Sequence, residues 1–120
     1  MSEIKSYRDL IAWQKAMALV RAVYIISRSF PRDEQFGLTS QLRRSAVSIP
    51  TNIAEGQGRG STADFVRFLC IARGSLNEAQ TQIEIAQMLG FTTTAAVLEA
   101  ISLANEIEKM LNALIRKLTP

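Results

Sequence analysis

The stretch STADFVRFLCIARGSLNEAQTQIEIAQMLG, residues 61–90, decides the fold. Its apolar residues Phe65, Leu69, Ala72, Leu76, Ala79, Ile83 and Ala86 recur in steps of four and three. That is the period of one face of an α-helix. Large residues alternate with alanine, which lets a neighbouring helix come close. Ser61 or Thr62 suits the N-cap, with Asp64 in the first turn. Gly90 suits the position just past the C-terminus. Unbroken, residues 62–89 span about 42 Å.

Similar stripes lie on either side. Val97, Ala100, Ala104, Ile107, Leu111, Leu114 and Leu118 form a fourth-helix seam, preceded by Phe91-Thr92-Thr93-Thr94 as a turn with a threonine cap. Upstream, Leu38, Leu42, Ser45/Ala46, Ile49 and Ile53 form a second-helix stripe, which begins near the acidic pair Asp33-Glu34 and closes at Glu55-Gly56. Pro50 falls inside this stripe. It removes one N–H and crowds the carbonyl of Ala46, so a kink or break is expected there, with polar contacts from Ser48, Thr51 or Asn52.

The first helix follows Ser6-Tyr7-Arg8-Asp9, a capping-box-like spacing, and stops before Phe30-Pro31. It carries two adjacent seams: Ala12, Ala16, Leu19, Val23, Ile26 and Phe30; and Trp13, Met17, Val20, Tyr24 and Ser27. One seam suffices for a bundle helix. Either this helix is central in the bundle, or its second seam, Trp13, Met17, Val20 and Tyr24, faces another subunit. The expected fold is all-α: one domain over residues 1–120, an antiparallel four-helix bundle with short connections, its second helix kinked near Pro50.

Composition agrees. The 120 residues are 48% hydrophobic and only 7% aromatic, with three prolines and six glycines. That is too few turn residues for many short strands. There is no histidine, which removes histidine acid–base chemistry, Ser-His-Asp nucleophiles and histidine metal ligands. The lone cysteine, Cys70, has no disulfide partner in the chain and no histidine to activate it, so it reads as a packing residue. A cytoplasmic location suits this cysteine usage. No signal peptide and no membrane-length apolar run is visible. The residues point to no enzyme, no cofactor and no metal.

The charge is +3, carried by ten arginines and four lysines against eleven acidic residues. Residues 1–60 hold net +4 and residues 61–120 net −1. Arginine's planar fork suits phosphates and carboxylates alike. Arg43 and Arg44, off the apolar stripe, are therefore candidates for phosphate or for pairing with Glu34, Glu55 or Glu78. Gly56-Gln57-Gly58-Arg59-Gly60 precedes a helix, and Arg59 stands ready to assist a phosphate there. It follows a helix rather than a strand, however, and lacks a Gly-Lys-Ser/Thr ending. A turn is the simpler reading.

Three stretches taken together carry a resemblance. These are Trp13-Gln14-Lys15-Ala16; Phe30-Pro31-Arg32-Asp33-Glu34-Gln35-Phe36-Gly37-Leu38; and Gln41-Leu42-Arg43-Arg44-Ser45-Ala46-Val47-Ser48-Ile49-Pro50-Thr51-Asn52-Ile53-Ala54-Glu55-Gly56. With Phe65 to Glu78, they resemble the bacterial four-helix bundle family first known from intervening sequences in 23S ribosomal RNA genes. Ser45 stands where the family has alanine, and Thr51 where it has serine. The resemblance implies a homopentamer. It also implies a relation to the accessory protein of diversity-generating retroelements, a basic pentameric barrel that binds nucleic acid and a reverse transcriptase. The function expected is a noncatalytic oligomer touching RNA or DNA through Arg43, Arg44 and Arg59. The alternative is a structural or protein-interaction oligomer with no nucleic-acid affinity of its own.

Overall fold

A computed structural model describes residues 5–120. Four α-helices follow one another: α1 Ile11–Ser27, α2 Leu38–Gly58, α3 Thr62–Met88 and α4 Thr94–Leu118. Each packs on the next, and α4 returns to α1, while α1 and α3, like α2 and α4, lie diagonally across the bundle without close backbone approach. Consecutive helices run antiparallel. Arg43 of α2 meets Ser27 at the end of α1, and Ser48 meets Ser75 of α3. The bundle measures 45 × 24 × 23 Å, and no strand occurs among the described residues. This is the antiparallel four-helix bundle expected from the stripes.

The stripes are the core. Leu19, Val23, Leu42, Ile49, Ile53, Leu69, Leu76, Ile83, Ile107 and Leu111 are sealed from solvent, and the interleaved alanines are equally buried. Phe65, Leu114 and Leu118 pack at the margin. Ser61 and Thr93 cap α3 and α4, each hydroxyl accepting from a backbone N–H in the first turn. Gly90 takes the left-handed conformation, φ +78°, after α3.

The helices differ from expectation in four places, three of them at helix ends. The Ser6–Asp9 capping box is present but caps a separate 3-10 turn, Tyr7–Asp9, instead of α1. Leu10 then turns extended so that its side chain enters the core. Asp33 and Glu34 lie in a second 3-10 turn, Arg32–Glu34, and α2 starts only at Leu38. Glu34 still serves that terminus, since its Oε1 accepts the Leu38 N–H at 2.9 Å. The reach is local: a Cβ on Gly37 would sit 2.8 Å from that oxygen. At the other end, α2 runs on past Gly56 to Gly58. Gly56 is therefore a packed helical residue rather than part of a loop.

The fourth difference is at Pro50. The α2 assignment passes through it without interruption, so the expected break does not occur and the kink is not confirmed. The expected polar contacts are there. Thr51 Oγ1 donates to the Val47 carbonyl at 2.8 Å. Asn52 Nδ2 donates to the Ser48 carbonyl and Oγ, and Ser48 Oγ shares a 2.9 Å hydrogen bond with Ser75 Oγ across the α2–α3 contact. Side chains that follow Pro50 thus donate to backbone carbonyls that precede it.

Candidate nucleic-acid interface

The two seams of α1 separate cleanly. Every member of the first, Ala12 to Phe30, is buried. Of the second, Ser27 is buried and Trp13 and Val20 are half-buried, while Met17 and Tyr24 keep 46% and 39% of their surface in water. The first seam thus lies in the core, Trp13 and Val20 of the second pack against its edge, and Met17 and Tyr24 face outward. Trp13, Met17 and Val20 line an apolar cleft with Val47, Pro50 and Ala54 of α2. Tyr7 closes one end, its ring 5.2 Å from that of Trp13. Tyr24 lies one cleft further along.

The three candidate arginines do not form one patch. Arg43 and Arg44 are consecutive in α2. Arg59 follows that helix fifteen residues after Arg44, about 22 Å along the axis. There Arg59 Nε pairs with Glu55 at 3.1 Å, both half-exposed. Its guanidinium lies 5.0 Å from the centre of the Phe68 ring, which Arg67 also covers. So exposed an ion pair is weak, about 0–1 kcal/mol, and gives way to a better anion.

Arg43 and Arg44 have no carboxylate within ion-pair distance among the described residues. The expected pairing with Glu34 does not form, because Glu34 caps α2. Glu78 lines a cleft with Arg44 but does not pair with it. Neutral partners hold the arginines instead. Arg43 Nε donates to Ser27 Oγ at 2.8 Å, and its guanidinium sits 4.6 Å from the centre of the Tyr24 ring. Ser27 Oγ in turn donates to the Tyr24 carbonyl. Arg44 Nη2 donates to Ser40 Oγ at 3.1 Å. The Arg43 fork is thus oriented by α1 through Nε, and its Nη groups make no hydrogen bond among the described residues, which suits them to an anion.

Sequence reasoning missed Phe36. It falls on no stripe, and no spacing marks it, yet its ring is 90% exposed beside Tyr24, Arg43 and Arg44. The available signal was an aromatic residue in the turn just ahead of the Gly37 cap. Arg44 also borders a polar cleft of about 340 Å³ between α2 and α3, where the buried Gln82 Oε1 lacks a hydrogen-bond partner. Cys70 is half-buried, with Arg73 Nη2 3.9 Å from its sulfur. Among the described residues, no three acidic or cysteine side chains converge on a metal-sized site. No helix there is long and apolar enough to cross a membrane.

The profile of the family described as 23S rRNA-intervening sequence protein matches residues 8–113. A crystal structure of a protein of unknown function from the S23 ribosomal protein family of Bacteroides thetaiotaomicron has a similar fold, with a TM-score of 0.78. It is 27% identical, over 88% of this chain and 98% of that one. No curated protein matches the chain. The family match takes in α1 to α3, most of α4, the Arg43-Arg44 pair and Arg59.

Proposed function

The chain belongs to the 23S rRNA-intervening sequence protein family, and on that premise we propose that it is a noncatalytic homo-oligomer that contacts RNA or DNA. Arg43 and Arg44 are the principal contacts, with Arg59 as an outlying one. The observation that carries this reading is the arginine pair itself: adjacent, held by neutral groups, and free of carboxylates among the described residues. Assembly amplifies it. In a ring of five, the number the family resemblance suggests, +3 per chain becomes +15, and the arginine pair recurs on every subunit. One polyanion then engages several subunits together.

Trp13, Met17 and Val20 of the second seam of α1 supply the contact between copies, while Tyr24 of the same seam belongs to the neighbouring cleft with Arg43. Met17, Val20 and the α2 residues Val47 and Pro50 form an apolar face that association removes from water. A noncatalytic role in the cytoplasm fits the lack of histidine and the single cysteine. A second reading, an oligomer whose partner is another protein, is favoured by that same apolar cleft and by the Arg59–Glu55 pair.

Titration of labelled RNA at two salt concentrations separates the readings. Wild type should bind at low salt and weaken as salt rises, with a logarithmic slope of about −0.7 to −0.9 per phosphate contacted. The Arg43→Ala/Arg44→Ala/Arg59→Ala variant should lose both affinity and slope. No binding at low salt, or an unchanged slope in the folded variant, leaves the protein-partner reading in its place. Light scattering should give a multiple of the 13.3 kDa chain mass, reduced by Val20→Glu. A wild-type mass of one chain refutes assembly.

A further inference from the structure

Phe36 is the most exposed large apolar side chain among the described residues. Its backbone is held all the same. It lies between the 3-10 turn and α2, where the Glu34–Leu38 hydrogen bond and the Gly37 cap set the backbone. A ring held in water contributes almost nothing to folding. Phe36, Tyr24, Thr39, Ser40, Arg43 and Arg44 line a cleft of about 500 Å³. Two partly or fully exposed aromatic rings thus share one cleft with two cations that have no carboxylate partner among the described residues.

The combination discriminates between nucleic-acid forms. A duplex offers phosphates to the arginines, but its bases are stacked on one another and present no free face to a ring. An unstacked nucleotide presents both a phosphate and a π-face. A purely apolar protein partner would leave both guanidinium groups without an anion. We propose that this cleft holds an unstacked nucleotide of a single strand, its base on the Phe36 ring and its phosphate on Arg43 and Arg44. The inference rests on the nucleic-acid reading above and adds the substrate class: single-stranded over duplex, without base-edge readout. Tyr24, already engaged by Arg43 at 4.6 Å, orients the phosphate-binding fork rather than serving as the stacking platform.

The test uses the full chain and three labelled probes of equal length: an oligouridine strand, an abasic strand with the same phosphates, and a duplex. Fluorescence anisotropy is read for wild type, Phe36→Ala and Phe36→Trp. Wild type should bind the oligouridine most tightly. Phe36→Ala should lose about five-fold to a hundred-fold on that probe alone, the usual cost of removing one stacking ring. Its salt slope should stay unchanged because the phosphate contacts remain. Phe36→Trp should restore the preference, and light scattering should show the same assembly mass for all three proteins.

Equal wild-type binding to the three probes overturns this inference and leaves the arginine reading standing. So does an equal loss on all three in Phe36→Ala. A change of assembly mass in Phe36→Ala overturns it by making Phe36 a subunit contact. Failure of wild type to bind any probe at low salt refutes the arginine reading itself, and this inference with it.

Discussion

Gly56 offers a test of how closely α2 and α3 approach. An ideal Cβ built there would lie 2.6 Å from Phe68 Cβ and 3.2 Å from Phe65 Cδ1. Phe68 Cβ is attached directly to the α3 backbone, so rotating the ring does not relieve the clash and the helices must separate. Gly74, inside α3, is the matched control, with nothing within 4 Å of the added methyl. Alanine favours either helix by about 1 kcal/mol over glycine. At Gly74 that gain stands alone, and Gly74→Ala should stabilise by about 1 kcal/mol. At Gly56, overpacking costs about 1–3 kcal/mol. Gly56→Ala should therefore destabilise by about 0–2 kcal/mol, and the two variants should differ by about 1–3 kcal/mol. Urea unfolding at one fixed protein concentration measures both, because assembly links stability to concentration. If Gly56→Ala stabilises as much as Gly74→Ala, the close approach of α2 and α3 does not exist.

Two further perturbations probe the ends and seams of α2. Glu34→Ala removes the carboxylate from the Leu38 N–H and should cost about 1 kcal/mol, as lost helix caps do; Glu34→Gln, which keeps an acceptor oxygen, should recover part of it in the same urea titration. Ser75→Ala deletes the cross-helix hydrogen bond to Ser48 and should cost about 0.5–1.5 kcal/mol. Thermal unfolding identical to wild type would mean that the Ser48–Asn52 hydrogen bonds alone satisfy those groups.

The four helices were legible in the sequence because burial against one core imposes a 3.6-residue period on apolar positions. The stripes of α3 and α4, the Ser61 and Thr93 caps and the Gly90 terminator lie where the pattern puts them. So does the first seam of α1, with Trp13 and Val20 of the second packed at its edge. The sequence by itself thus determined the fold class and which side chains make the core. The ends of α1 and α2 were decided elsewhere. Leu10 turns extended because its side chain finds the core, and Glu34 folds forward onto an N–H four residues on. Neither leaves a periodic trace. Gly56 reads as a loop residue in a glycine-rich stretch, and only the packing of Phe65 and Phe68 shows that it is a contact between helices. The partners of the arginines depend on which side chains from different helices come within reach. Arg43 meets Ser27 and Tyr24 rather than a carboxylate, and Phe36 is left in water beside it, because the antiparallel packing of α1 on α2 brings the start of α2 to the end of α1. A linear spacing does not encode that meeting, and tertiary structure alone assembled the cleft.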